Sequence, residues 1–208
     1  AYNLLNQLYN FKNHYKIILD KRVPLFSGLG GGSSNGAYTI KTLNKLQNLN
    51  LDNKEMEKIS LSIGSDTPFF IRGGTKLIKG RGEIIKNFNS SIINKLFFLI
   101  IVPSFTISTK WAYNKIKKNL DDKLDSYKFP PLDDQEDFKF FKNDFENVVG
   151  STYPEIFEIK EFLYNNGALY SSLSGSGSTV FGVYNNFEFI KKTKNKLKHY
   201  TTFIASPV

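Results

Sequence analysis

Four glycines and three serines fall within one run of eleven residues, Pro24-Leu25-Phe26-Ser27-Gly28-Leu29-Gly30-Gly31-Gly32-Ser33-Ser34. So little side chain lets successive backbone N–H groups converge on one anion, and a helix beginning at the end of the run adds unpaired amides and its positive dipole end. The ligand this chemistry selects is a phosphate. Ser33 and Ser34 can add hydroxyl oxygens to a phosphate or to a bound Mg²⁺. A carboxylate that could act beside it is Asp66, in Gly64-Ser65-Asp66-Thr67-Pro68-Phe69-Phe70, between a small-residue turn and a proline and next to an apolar stretch read as a strand. Taken alone, such an aspartate is an Asx turn or a helix cap. Two further small-residue turns follow: Gly80-Arg81-Gly82-Glu83, a hairpin on its own reading, and Ser174-Gly175-Ser176-Gly177-Ser178, a flexible turn between apolar runs.

Several other chemistries are excluded. The glycine run is not a Walker A loop, because no Gly-Lys-Ser/Thr closes it, and no acidic residue stands at the ribose-binding distance of a dinucleotide fingerprint. Asp52 comes too early and belongs to a turn. A flexible linker is not followed at once by an amphipathic segment such as Ala37, Tyr38, Ile40, Leu43, Leu46 and Leu49. The absence of cysteine removes disulfides, thiolate metal sites and cysteine nucleophiles, and His14 and His199 are too far apart in sequence to read as a zinc pair. No metal ligand set is assigned. A formal charge of +9 raises the question of nucleic acid, but the lysines are spread among Asn, Ile and Phe rather than gathered in a basic face. A mildly positive cleft suits a substrate with several phosphates.

The elements that must position these residues follow from periodicity. At 208 residues, 40% of them hydrophobic, the chain can bury one large core or two small ones. Leu4, Leu5, Leu8 and Tyr9 read as the end of a helix, and the alternation Tyr15–Leu19 as a strand running into the glycine loop. A helix follows the loop, and another spans Leu51–Ile63, capped by Asp52 or Asn53 and ended by Gly64. Thr75–Ile78 reads as a short strand, and the composition shift over residues 87–94 as a domain boundary. Leu96–Val102 suits a strand buried on both faces. It is too short to span a membrane, and no signal peptide opens the chain. Ser108 or Thr109 caps a helix carrying Trp111, a core residue, and Tyr113. Residues 121–137, with Pro130-Pro131, read as a loop. Tyr153–Asn165 is a helix closed by Asn166-Gly167, and Phe187–Lys198 one with Phe189, Ile190 and Leu197 inside.

The run Pro24 to Ser34 resembles the second motif of the GHMP kinase superfamily, Pro-x-x-x-Gly-Leu-Gly-x-(Gly)-Ser-Ser. The triple glycine is similar to one branch, the diphosphocytidyl-methylerythritol kinases. Gly64 to Phe70 resembles that branch's Gly-Ala-Asp-Val-Pro-Phe-Phe, with Ser65 in place of alanine. Asn143-Asp144-Phe145-Glu146 is similar to its Asn-Asp-Leu-Glu, read here as an acidic pair that caps and orients a helix. Residues Ser174 to Ser178 resemble the third superfamily motif.

The resemblance implies an α+β, two-domain fold, with a ribosomal-protein-like N-terminal domain over residues 1–90 and a ferredoxin-like C-terminal domain over 91–208. It implies an ATP-dependent kinase that phosphorylates a free hydroxyl of diphosphocytidyl-methylerythritol, with ATP phosphates and Mg²⁺ on Pro24 to Ser34. Asp66 is the implied catalytic carboxylate, either accepting the hydroxyl proton or only orienting the nucleophile. Arg81 lies beside the cytidine end, Tyr113 stacks on the base, and Ser174, Gly175, Ser176 and Gly177 approach from the second domain. The family's opening segment, with its lysine and its Gly-Tyr-His turn, has no counterpart: Lys21 is not that lysine and His14 is not in such a turn. The chain therefore reads as a fragment lacking its first strands and inactive alone. A bacterial cytoplasm is the expected compartment, with a plastid as the lesser option, and the resemblance leaves room for a homodimer. The rival readings are another GHMP kinase acting on mevalonate, homoserine or a sugar, and a non-catalytic RNA-binding module.

Overall fold

The computed structural model of the chain describes residues 1–116 and 132–207, so the larger part of the expected loop 121–137 lies outside the described residues. Two compact units emerge: Ala1–Leu25 with Gly30–Phe88, and Phe26–Leu29 with the chain from Asn89 onward.

The first unit is built of four helices, α1 (Tyr2–Tyr9), α2 (Gly31–Leu46), α3 (Asn53–Leu61) and α4 (Thr67–Arg72), and a hairpin of β1 (Lys76–Lys79) and β2 (Ile84–Asn87). The helical spacing of Ala37, Ile40 and Leu43 gives α2 one buried stripe, which packs with Leu5, Phe11, Met56 and Ile71 into a single core. Asp52 caps α3 in a full capping box with Glu55, as the sequence suggests. The α2–α3 connection is closed by Asn44, whose amide donates to Leu51 O and accepts from Leu51 N–H, both at 3.0 Å.

Two expectations fail in this unit. The stretch Phe69–Ile71 is not a strand but the middle of α4, which Pro68 starts from its first turn, where a missing N–H costs nothing. Nor does Tyr15–Leu19 form a strand. Alternation supplies only the pattern; a strand exists by pairing, and no described strand pairs with this segment, leaving Ile18 82% exposed.

The second unit holds an antiparallel sheet in the order β4 (Tyr170–Leu173), β5 (Val180–Tyr184), β3 (Phe97–Val102) and β6 (Thr201–Ala205). Register pairs Leu99 with Gly182 and with Ile204, and Ser172 with Phe181. The helices are α5 (Thr109–Ile116), α6 (Phe145–Gly150), α7 (Glu155–Asn165) and α8 (Phe187–Asn195). Leu99, Ile101, Val180 and Leu173 meet Ile156, Ile159, Leu163 and Ile190 in one core. One face of the sheet packs on these helices, while on the other Val183 is buried and Phe138 stacks on Tyr170 at 5.5 Å. Strand β3 is buried at alternate residues rather than on both sides, against the uniform apolar reading. Trp111 packs on Tyr153, as expected of a core tryptophan, and Ser108 Oγ accepts from Trp111 N–H at 3.3 Å at the start of α5. Phe189 is 53% exposed, on the outer side of α8, so it does not join Ile190 inside. Residues 135–140, which overlap the end of the expected loop and run past it, form a short 3₁₀ turn capped by Asp134.

Candidate active site

Gly30 is the N-cap of α2 at φ +64°, a backbone closed to most side chains, and a Cβ there would meet the Phe70 ring at 2.8 Å. The first helical hydrogen bond runs from Ser34 N–H to Gly30 O (2.9 Å). The amides of Gly31, Gly32 and Ser33 therefore stand ahead of the ladder without an intrahelical acceptor. No side chain caps them and no acidic residue lies in the first turn. A Cβ on Gly31 would touch Val23, whereas at Gly32 nothing lies within 4 Å. The position with open space is Gly32, not Gly31, where the sequence motif alone cannot choose between them.

Asp66 sits beside this helix start within the same unit. A Cβ on Gly64 would lie 3.9 Å from Ser33 Oγ, and one on Gly36 would lie 3.6 Å from both Ile63 and Thr67 side-chain carbons. The turn 64–67 thus abuts the first turns of α2. Asp66 occupies the N-cap position of α4 but its carboxylate makes no capping hydrogen bond and is exposed. The helix-cap alternative for this residue is not realised. Two contacts hold α4 in place: Arg72 forms a two-point pair with Glu57 of α3 (2.5 and 3.2 Å), and Lys41 of α2 donates to Phe70 O (3.3 Å).

The hairpin tip also reaches the Asp66 turn. Gly82 is buried at φ +111°, and a Cβ there would overlap the Ser65 carbonyl oxygen. Glu83 folds back to accept from Arg81 N–H at 2.6 Å, so Arg81 is left with its carbonyl and an exposed guanidinium.

In the second unit, the front of the glycine loop meets the later glycine-serine turn. Ser174 Oγ donates to Gly28 O (3.0 Å) and Thr179 N–H to Ser27 O (3.0 Å). A Cβ on Gly28, at φ +77°, would overlap Ser174 O. Ser176 is buried with its hydroxyl 3.3 Å from Thr109 Oγ1. Tyr113, 51% exposed, lays its ring edge-on to Phe145 at 4.9 Å and lines a cleft of about 640 Å³ with Asn143, Asp144 and Gly175. A larger cleft, about 950 Å³, holds none of the residues that the sequence singles out as a site.

Three residues take places that the sequence reading does not give them. Lys21 brings its ammonium to 3.3 Å from the Cβ position of Gly31, next to the positive end of α2, an arrangement that an anion would stabilise. Its signal is the basic Lys21-Arg22 pair just ahead of the loop. Asn143 and Glu146 are the others. Asp144 stands at the N-cap of α6 without a capping bond, while Asn143 Oδ1 accepts from Phe145 N–H (2.9 Å). Glu146 accepts from Ser172 Oγ (2.8 Å) and Leu173 N–H (2.9 Å) and pairs with Lys160. The expected capping role of the acidic pair thus falls to the asparagine, because a carboxylate at 146 is already past the helix start and faces β4.

Residues 1–74 match the family model for the GHMP kinases N terminal domain, and residues 134–200 that for the GHMP kinases C terminal. A 4-diphosphocytidyl-2-C-methyl-D-erythritol kinase of Thermoanaerobacter pseudethanolicus is 38% identical over 208 residues, covering 97% of this chain and 71% of the relative. A crystal structure of 4-(cytidine 5'-diphospho)-2C-methyl-D-erythritol kinase superposes with a TM-score of 0.70 at 22% identity, over 90% of this chain and 68% of that one. The mevalonate kinase of Methanococcus jannaschii also gives 0.70, at 18% identity over 99% and 72%, so the fold does not separate these kinases. Sequence does: the chain belongs to the GHMP kinases, in the family of the 4-diphosphocytidyl-2-C-methyl-D-erythritol kinases.

Proposed function

We propose that this chain binds ATP at the start of α2 and transfers its γ-phosphoryl group to the free hydroxyl of 4-diphosphocytidyl-2-C-methyl-D-erythritol, a step of isoprenoid precursor synthesis. One observation carries the reading: three amides stand ahead of the hydrogen-bond ladder of an uncapped sixteen-residue helix, where a Cβ at Gly32 would meet nothing within 4 Å, beside a turn that presents an exposed carboxylate making no capping bond. The amides of Gly31 to Ser33 and the Lys21 ammonium take phosphate oxygens. Among the described residues no group of three or more His, Asp or Glu converges on a metal position; Ser33 or Ser34 would offer a hydroxyl to Mg²⁺ accompanying ATP. The chemistry that Mg²⁺ would supply there is neutralisation of charge on the phosphates. The substrate oxygen attacks the γ-phosphorus, the bond to the β,γ-bridging oxygen breaks, ADP leaves, and Asp66 takes or directs the hydroxyl proton. Tyr113 and the Arg81 turn serve the cytidine end. No helix among the described residues is long and apolar enough to cross a membrane, and with the relatives being bacterial we place the reaction in a bacterial cytoplasm.

The deciding experiment is Asp66→Asn in the enzyme. Phosphoryl transfer should fall on the order of 10²–10⁴-fold, while the affinity for ATP stays within a few-fold. Near-normal turnover removes Asp66 from the chemistry. Assaying diphosphocytidyl-methylerythritol against mevalonate and homoserine tests the acceptor, and faster transfer to either of the latter overturns it.

A further inference from the structure

Asn143 stands one residue ahead of the cap of α6, yet its side-chain amide is spent mostly on another element. Nδ2 donates at 2.8 Å to Leu173 O, at the end of β4, and at 2.8 Å to Gly175 O, inside the glycine-serine turn. These carbonyls flank Ser174, and one donor group bridging both fixes the curvature of the chain where it leaves the sheet. Glu146 adds a second hold just upstream, taking Ser172 Oγ and Leu173 N–H on one oxygen while Lys160 engages the other. Ser174, held between, donates its hydroxyl to Gly28 O, and Thr179 N–H reaches Ser27 O.

We infer that the Asn143 amide is a positioning group for the front of the phosphate loop: it sets the Leu173–Gly175 backbone, which in turn holds Ser27 and Gly28. The inference rests on the proposed ATP site. The Asn143 amide acts through two carbonyls and one serine. Only an amide does this at its position, since Oδ1 must accept from Phe145 N–H while the same side chain donates twice. An aspartate there keeps the acceptor and loses both donors, and sets a negative oxygen against two carbonyls.

The test is steady-state kinetics on Asn143→Asp, with both substrates varied. ATP KM should rise roughly tenfold for two lost hydrogen bonds, with the KM of the alcohol within about twofold. In combination with Ser174→Ala, which cuts the same path, the double variant should lose clearly less than the product of the single losses. An unchanged ATP KM, an equal rise in both KM values, or fully multiplicative losses would overturn the assignment. Should Asn143→Asp not fold, Asn143→Ser supports the same comparison, because its hydroxyl still accepts from Phe145 N–H but cannot bridge both carbonyls. Wild-type protein that binds no ATP would remove the proposed function itself, a result separate from a wild-type enzyme whose Asn143 variants keep their ATP KM.

Discussion

The four glycines of the loop answer to different neighbours. Gly28 has a positive φ and the Ser174 carbonyl against it, Gly30 a positive φ and the Phe70 ring, and Gly31 has Val23 and Lys21 beside it. Gly32 has neither an unusual backbone nor anything within 4 Å. Nothing in the folded chain demands glycine there, and in a helix glycine is the less stable choice than alanine. Gly32→Ala should therefore raise the stability of the free protein by a few tenths up to about 1 kcal/mol while weakening ATP binding roughly tenfold or more. Thermal melting without nucleotide and titration with ATP read the two effects separately. A variant that melts higher and binds ATP as before would mean that the phosphate lies elsewhere. Gly31→Val would mix ligand and protein effects, because its side chain runs into Val23.

Hairpin β1–β2 matters because of where its tip rests. Gly82 lies on the Ser65 carbonyl, one residue from Asp66, so the tip braces the turn that carries the carboxylate. In Gly82→Ala the methyl must displace either the hairpin or that turn, from a φ that already disfavours alanine. Turnover should drop tenfold or more, a barrier change of about 1.4 kcal/mol, with ATP affinity little altered; equal losses in both would instead mean general unfolding of the unit. The hairpin itself was legible in Gly80-Arg81-Gly82-Glu83, and α3 in Asp52 with Glu55, because turns and caps are local. Helix α4 was not, since Thr67 to Ile71 is too short for a period to show and only Pro68 marks it as a helix start. The Tyr15–Leu19 alternation misled for the opposite reason, as pairing is not written in the strand that needs it. Likewise the one-sided burial of β3 depends on which faces α7 and α8 cover.

At the scale of the whole chain, the sequence division near residue 90 is contiguous, whereas Phe26–Leu29 goes with the later unit. No local pattern could announce that, because it rests on Ser174 and Thr179, about 150 residues on. The two hydrophobic clusters share no residue: Leu43 is central to one and Leu163 to the other, both essentially buried. Truncating either leaves a cavity that costs about 2–5 kcal/mol. If the cores are separate cooperative units, the loss stays in its own set of amides. Leu163→Ala should then speed hydrogen exchange throughout β3, β5 and α7 while α2 and α3 keep their protection, and Leu43→Ala should do the reverse. Uniform loss across both sets in either variant would make the chain one folding unit.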